Sequence, residues 1–333
     1  YAGYEGLVNL AEQISNSMKF YSRQSTVVSQ ASRHCEASRT KEGTAEAILE
    51  GKGLISGVYP EHKNEIPLFA RNDKGKTRNN RLRNNVVINP LKHSQSIGAA
   101  IAFQGIHKAL PIIHGAQGCT FLGKVLLTKH FREPIALAST KLFTENVVMG
   151  SEENITEAVK GFIEKNNPDL IGILTSGLSE VKGDDMDSAI KNLKFKIQDS
   201  KCQIVYVSTP DYEGGLGGGY TRAVEAILDA VATHAANVHS SQFMEGQINV
   251  LAGSHLTPAD FTELREIIES FGLRPIILPD LSALDGSRQG MSALSLGGTK
   301  IDEIKEMSKS EFTIAIGESM ETSAKKLKDR FNI

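Results

Sequence analysis

The sequence predicts an α/β protein built on parallel sheets, and three observations lead to this fold class. Short apolar runs at residues 110–114, 169–175 and 203–208 suit strands that are buried on both faces. Amphipathic helical segments separate such runs from residue 86 onward, as expected where parallel strands are joined by crossover helices. The chain has 333 residues, of which 40% are hydrophobic, so it can fill the cores of about two or three domains.

A first α/β domain is predicted over residues 86–246. Its apolar strands occupy the three runs named above, and its helices are recognised by their amphipathic periods. The predicted helices are 96–107, 120–131, 154–165 and 219–235.

A second α/β domain is predicted over residues 247–333. Thr257 and Pro258 are a typical helix start, and Gly272 is a typical helix end. The helix between them lies between two strands, and the alternation then continues to the last residues. The predicted strands are 247–252, 274–278 and 312–316, and the later helices are 300–308 and 321–331.

The first 85 residues differ in composition from the rest. Residues 1–19 suggest a turn and an amphipathic helix, whereas residues 20–85 are rich in Ser, Arg, Lys, Asn and Gly. The segment 71–83 has no apolar period, so we expect residues 20–85 to form a polar linker rather than a binding patch.

Charge and hydropathy exclude several classes of partner. There are 37 Lys and Arg against 39 Asp and Glu, so no global field recruits nucleic acid or an anionic membrane. No apolar run reaches the roughly 18 residues of a membrane span, and the start of the chain lacks the features of a secretory signal. We therefore expect no nucleic-acid or membrane partner and a cytoplasmic location.

Two glycine-rich stretches precede predicted helices. Residues 214–219 fail the GxGxxG spacing of dinucleotide-binding loops, so we predict a flexible turn that binds no nucleotide. Exposed amides at residues 297–299 could hold an anion, but a simple turn into the next helix is the favoured interpretation.

The stretch HGAQGC, residues 114–119, places a thiol between two glycines and a predicted helix. Gly115 and Gly118 allow close backbone approach, and the positive end of a helix dipole favours a thiolate at Cys119. A thiolate is the ligand that an iron–sulfur cluster needs. Two alternatives stay open from the residues alone: a small buried core cysteine, and a catalytic nucleophile, which lacks an identifiable base.

The other two cysteines, Cys35 and Cys202, form no CxxC pair with Cys119. Cys35 lies in the polar linker, and Cys202 precedes a buried strand and suggests core packing. Three cysteines cannot supply the roughly four ligands of a complete cluster. If Cys119 binds metal, the remaining ligands come from another chain.

Many runs of the sequence resemble the β-type chains of the nitrogenase superfamily. The resemblance begins with NPLK at 89–92, IGAAIAFQG at 97–105, HGAQGC and KHFREP at 129–134. It continues through TSGLSEVKGDD at 175–185, STPDYE at 208–213 and several runs of the predicted second domain. The resemblance implies Rossmann-like parallel-sheet domains of the nitrogenase component 1 type.

The resemblance also implies the site residues. The β chains of the superfamily hold half of a P-cluster with three cysteines, and the matching positions here are Ser94, Cys119 and Gly177. Only Cys119 keeps the thiol, and Asp211 falls where those chains place a serine near the cluster. This departure indicates the β-like chain of a cofactor-assembly scaffold. Cys119 is then one metal ligand, and Ser94, Gly177 and Asp211 are candidate cluster neighbours.

For such a scaffold chain, the resemblance implies a [4Fe-4S] cluster shared with an α-like partner. That partner would also hold most of the iron-molybdenum cofactor precursor, in an α2β2-type heterotetramer served by an iron-protein reductase. Residues 1–11 resemble the end of the α-like chain, so we expect a fusion of the two, with the partner's cysteines before Tyr1 and a third domain after Ile333.

Two competing functions remain open at this point. The chain could be the catalytic β subunit of a divergent nitrogenase or related reductase, in which case we expect a P-cluster in the intact complex. It could also be a cluster-free α/β interaction module, in which case the complex would contain no iron.

Overall fold

A computed structural model describes residues 93–198, 200–232, 244–288 and 290–333. The helices are α1 (Gln95–Gln104), α2 (Gln117–Phe131), α3 (Thr144–Met149), α4 (Glu152–Asn166), α5 (Gly177–Lys182), α6 (Met186–Lys196), α7 (Leu216–Val231), α8 (Pro258–Ser270), α9 (Ile301–Glu306) and α10 (Glu321–Phe331). The strands are β1 (Ala109–His114), β2 (Ala138–Ser139), β3 (Leu170–Thr175), β4 (Gln203–Val207), β5 (Gln247–Ala252), β6 (Arg274–Leu278) and β7 (Phe312–Ile316).

The first sheet has the strand order β2-β1-β3-β4, and all of its strand pairs are parallel. Every residue of β1 and β3 is buried, which explains why these strands are continuous apolar runs. In the register of the sheet, His114 lies opposite Thr175, and Leu174 lies opposite Val207. The carboxyl ends of β1, β3 and β4 therefore meet at one edge.

Helix α1 is buried along all ten of its residues and packs against β1, β3 and α7. Glycines make this close packing possible. A Cβ at Gly172 would overlap the ring of Phe103, and a Cβ at Gly98 would overlap the backbone of Leu216. Gly219 in α7 likewise faces the backbone carbonyl of Gln95 without room for a Cβ.

The opposite face of the first sheet is covered by α4 and α6. The apolar residues of these helices and of the strands form one cluster, which also contains Cys202. Its other members are Leu110, Ile112, Ile155, Val159, Ile171, Ile173, Met186, Ala189, Ile190, Leu193 and Ile204.

The second sheet has the order β6-β5-β7 and is also parallel. Helix α8 starts with Thr257 as N-cap, whose hydroxyl accepts from the Asp260 N–H, and with Pro258 as its first residue. The Tyr220 hydroxyl of α7 donates to the Ala252 carbonyl at the end of β5, and His107 N donates to the Thr299 carbonyl. The segments around both sheets are therefore joined by hydrogen bonds.

The predicted fold class is confirmed, and four elements match the prediction to the residue, namely β5, β6, β7 and α10. Four helix starts were placed too late. The observed starts are Gln95 for α1, Gln117 for α2, Glu152 for α4 and Leu216 for α7. Helices α3, α5 and α6 and the two-residue strand β2 were missed. The predictions for residues 1–19 and 20–85 lie outside the described residues, and the boundary at residues 246 and 247 stays a prediction.

Gly214–Gly219 does not form the flexible turn that we expected. Gly215 is the N-cap of α7, and the last three glycines of the stretch belong to its first turns. Gly219 is needed because α7 approaches α1 closely there. The glycine-rich composition is therefore explained by helix packing.

Within the described ranges, no helix is long and apolar enough to span a bilayer.

Candidate metal centre

The candidate site lies at the carboxyl edge of the first sheet. The segments that follow β1, β3 and β4 leave the sheet side by side and carry residues 115–119, 176–177 and 208–211. The first two segments are in contact: a Cβ at Gly115 would come within 2.7 Å of the Ser176 Oγ. The Ser176 hydroxyl in turn donates to the His114 carbonyl at 2.8 Å. Close contact thus explains Gly115, whereas Gly118 faces open space.

Cys119 is the third residue of α2 rather than a residue before the helix. It is exposed, which excludes the interpretation as a core cysteine. Helix α2 has no side-chain cap at Ala116 and no acidic residue in its first turn. Its first N–H groups therefore have no side-chain acceptor, and the positive end of the helix dipole lies at the turn that carries Cys119.

Ser94, Gly177 and Asp211 converge, although they come from three separate segments. Ser94 is the N-cap of α1, and its hydroxyl accepts from the Ile97 N–H at 3.3 Å. The Asp211 carboxylate accepts from the Gln95 N–H at 3.0 Å and hydrogen-bonds to the Ser94 side chain. A Cβ at Gly177 would lie 3.9 Å from Asp211 Oδ2, with no closer neighbour.

The surroundings of Asp211 affect its ionisation. The residue lies at the surface, but its carboxylate is turned towards the first turn of α1. The partial burial of this carboxylate raises its pKa, and the hydrogen bonds from α1 oppose the rise. Asp211 therefore acts as a second cap of α1 from the end of β4.

The described residues do not form a complete metal site. Among them, no group of three or more His, Cys, Asp or Glu side chains is placed to hold an ion. No side chain in the same ranges hydrogen-bonds to the Cys119 sulfur.

The remaining cysteines match their predicted roles as far as they are described. Cys202 belongs to the core cluster, and burial raises the pKa of its thiol to about 12. It is a structural residue. Cys35 lies outside the described residues.

The sequence analysis missed a buried polar network at the end of β1. His114 is fully buried, and its Nδ1 and Nε2 lie 2.9 Å from Thr140 Oγ1 and 3.1 Å from Ser151 Oγ. The Ser151 hydroxyl donates to Asp184 Oδ2 at 2.6 Å, and Lys182 Nζ pairs with Asp184 Oδ1 at 2.8 Å. Since the hydroxyl hydrogen of Ser151 is used by Asp184, His114 Nε2 must be the donor to Ser151.

Burial keeps His114 neutral. Burial lowers the pKa of His114 to about 4, and the nearby Asp184 opposes this shift only in part. The signal in the sequence was a histidine at the end of an otherwise apolar strand. Its partners are 26, 37 and 70 residues further along the chain, so spacing could not identify them.

Exposed apolar side chains surround the start of α2. Leu122 and Leu126 follow Cys119 by three and seven residues, which places all three along one side of the helix. Phe121 and Leu122 are 67% and 68% exposed, and Val181 in α5 is 77% exposed. We call the exposed apolar residues of these two helices the α2–α5 surface; they are Phe121, Leu122, Val125, Leu126, Leu178 and Val181.

Comparison with known proteins identifies the class to which this fold and site belong. The model of the nitrogenase component 1 type oxidoreductases matches residues 94–333. The chain therefore belongs to this family.

Individual members of this family are similar to the chain over most of its length. The chain is 44% identical over 250 residues to the nitrogenase iron-molybdenum cofactor biosynthesis protein NifN of Rippkaea orientalis, covering 73% of this chain and 54% of that protein. It is 33% identical over 249 residues to the protein of the same name from Klebsiella pneumoniae, covering 74% and 53%. This chain thus spans about half the length of these relatives.

A solved structure described as nitrogenase Cp1 at pH 6.5 has a similar fold. It superposes with a TM-score of 0.67 and 30% identity, covering 78% of this chain and 55% of that chain.

Proposed function

We propose that this chain is part of a NifN-type β-like scaffold subunit for assembly of the nitrogenase iron-molybdenum cofactor. In this role Cys119 contributes one thiolate to a [4Fe-4S] cluster at the interface with an α-like partner. The scaffold itself catalyses no reaction. Relatives at 33% and 44% identity that are named as cofactor biosynthesis proteins support this role.

One observation carries the proposal: the positions that resemble P-cluster ligands hold a single thiol. Ser94 and Gly177 both lie near Asp211 at the sheet edge, but neither can supply a thiolate. Cys119 is exposed beside the same edge. A β chain with one thiolate there suits a smaller cluster that takes its other ligands from the partner.

The residues of this chain have distinct tasks in such a site. Cys119 would be the thiolate ligand, and the positive end of the uncapped α2 dipole would lie next to the negatively charged cluster. Leu122 and Leu126 on the same side of α2 would exclude water once the partner is bound. When bound, an iron–sulfur cluster supplies one-electron transfer.

The proposed partner is a NifE-like α subunit within an α2β2-type assembly. The α2–α5 surface supports an interface at this edge, since apolar side chains that stay exposed in one chain are typical of association sites. In this account the NifE-like subunit holds most of the cofactor precursor, and an iron-protein reductase delivers electrons.

A second candidate function is the catalytic β subunit of a divergent nitrogenase or related reductase. The similarity to a solved nitrogenase chain at 30% identity favours it. The lack of thiols at Ser94 and Gly177 argues against it, because the resemblance implies that a β chain holds its half of a P-cluster with three cysteines.

The iron centre of the complete complex distinguishes these functions. We expect the anaerobically purified, dithionite-reduced complex to give the electron paramagnetic resonance signal of a [4Fe-4S] cluster. P-cluster spectra would contradict the scaffold proposal and favour the enzyme subunit. An iron-free intact complex would favour a cluster-free interaction module instead.

A further inference from the structure

The side chain of Glu180 joins helix α5 to the carboxyl ends of two neighbouring strands. Glu180 is half-buried, and α5 also carries Gly177 and part of the α2–α5 surface. The Glu180 Oε1 atom accepts a hydrogen bond from the Thr175 hydroxyl at the end of β3. The same oxygen accepts from the Ser208 hydroxyl, just after β4, at 2.6 Å. One carboxylate oxygen therefore connects three elements at the edge of the first sheet.

The hydrogen bonds continue from Thr175 into the segment after β4. The Thr209 N–H donates to Thr175 Oγ1 at 2.6 Å, and the Thr209 hydroxyl donates to the Thr175 carbonyl at 2.6 Å. Thr175 and Thr209 are 1% and 0% exposed. Because Thr175 Oγ1 accepts from the Thr209 amide, its own hydrogen is available to Glu180. Without an acceptor at Glu180, a buried hydroxyl would lose its nearest partner, which is unfavourable.

The segment that these bonds hold carries Asp211. The Asp211 carboxylate accepts from the Gln95 N–H of α1 at 3.0 Å, and the Gln95 side chain donates to the Pro210 carbonyl. On the other side, a Cβ at Gly177 would lie 3.9 Å from Asp211 Oδ2. The segment is thus held by α1 at its end and by Glu180 at its start.

The hydroxyl donors are the main stabilising partners of the Glu180 carboxylate. Among the ion pairs of the described ranges, none includes Glu180. Burial of a carboxylate is unfavourable unless hydrogen-bond donors replace water, and hydrogen bonds to a charged acceptor are stronger than neutral ones. The position of Glu180 is therefore coupled to the positions of both donors.

We propose that Glu180 is a positioning residue that fixes the Asp211 segment against α5. It thereby sets the spacing between Gly177 and Asp211 at the candidate metal centre. The functional consequence of this inference rests on the proposed cluster, whereas the hydrogen bonds themselves do not. Because α5 contributes to the α2–α5 surface, Glu180 also links the partner-facing helix to the segment that carries a candidate cluster neighbour.

Hydrogen–deuterium exchange of the complete complex, followed by mass spectrometry of peptides covering residues 208–213, tests the positioning role. Glu180→Met removes the acceptor at a similar side-chain length and should raise the exchange rate of this segment by about tenfold or more. Glu180→Gln keeps an acceptor oxygen and should restore slow exchange. Ser208→Ala removes one donor and should raise the rate by about twofold to fivefold. This second variant tests the same bond even if the methionine variant does not fold.

The electron paramagnetic resonance spectrum of the reduced complex provides a second measurement. At unchanged iron content, Glu180→Met should shift the g-values or broaden the [4Fe-4S] signal, and Glu180→Gln should match the unmodified complex. Glu164→Met is the matched control, since Glu164 is exposed on α4. This control should change neither the exchange rate nor the spectrum.

Several results would overturn the proposal: slow exchange or an unchanged spectrum in the Glu180→Met variant, or fast exchange in the Glu180→Gln variant or in the Glu164→Met control. An unmodified complex without a [4Fe-4S] signal would contradict the proposed function instead. In that case the exchange rates of the four variants would still decide the role of Glu180.

Discussion

Burial determines the chemistry of the individual residues at the sheet edge. Cys202 and Cys119 are both free thiols, but Cys202 is enclosed by the core, whereas Cys119 is exposed on α2. His114 is enclosed as well, and its neutral ring links the end of β1 to Ser151 and Asp184. The segment that leads to Cys119 is thus anchored by a polar network that a proton would disturb.

The His114 network predicts a pH-dependent stability. A histidine with a pKa near 4 in the folded chain and 6.5 when unfolded takes up a proton mainly on unfolding between these values. The free energy of unfolding should therefore fall by up to about 1.4 kcal/mol per pH unit as the pH drops from 6.5 towards 4. The lowered pKa of Asp184 acts in the same direction at still lower pH.

Urea denaturation at pH 7 and pH 5, followed by circular dichroism, measures this effect in a chain that has no tryptophan. His114→Gln removes the titrating group and should flatten the pH dependence, even though the variant is less stable at pH 7. Parallel pH dependences of the two proteins would show that His114 is not the responsible group.

Among the secondary-structure elements, α1 and α7 pack closely because glycines lie at their contact. Gly98 and Gly219 let the two helix backbones approach each other, and this contact places Ser94 and Asp211 at the start of α1. The positions of two candidate cluster neighbours therefore depend on how closely α1 and α7 pack.

Two adjacent glycines of α7 should respond in opposite ways to alanine. Gly219→Ala forces a Cβ into the Gln95 carbonyl and should lower the free energy of unfolding by about 1–3 kcal/mol. Gly218→Ala meets nothing closer than Gln95 Oε1 at 4.0 Å and should be neutral or stabilising by up to about 1 kcal/mol. Denaturant titration of both variants checks the pair, and equal effects would contradict the packing argument.

The sequence allowed most of these elements to be predicted, for physical reasons that also explain the failures. Strands β5, β6 and β7 were found because fully or largely apolar runs bounded by turns are strong signals. Helix α5 has only six residues, and strand β2 has two, so neither carries a clear period. Helix α6 was missed although Met186, Ala189, Ile190 and Leu193 have helical spacing.

Prediction of the site was limited in a different way. Cys119 was identified from its local stretch, because glycines and a following helix are visible in the sequence. The contact between Ser94 and Asp211 joins segments that are more than 100 residues apart, and the packing of α1 against α7 and the sheet brings them together. The family resemblance identified Ser94 and Asp211 as site residues, whereas the local sequence pattern around each of them could not.

At the scale of the whole molecule, the proposed role requires a partner on the α2–α5 surface. Leu122→Glu places a charge on the side of α2 that carries Cys119 and should weaken association with a separately produced α-like subunit by about tenfold or more. Phe195→Glu is the control, because Phe195 is 74% exposed on α6, outside this surface. Sedimentation equilibrium checks both variants, and equal affinities would place the interface elsewhere.

The most direct test of the central claim is the electron paramagnetic resonance spectrum of the reduced, intact complex carrying Cys119→Ala. If Cys119 is one of the ligands, the [4Fe-4S] signal should be lost or converted to that of a more labile cluster, with a matching loss of iron. Cys35→Ala and Cys202→Ala should leave both the signal and the iron content unchanged. An unchanged signal in the Cys119 variant would contradict the account.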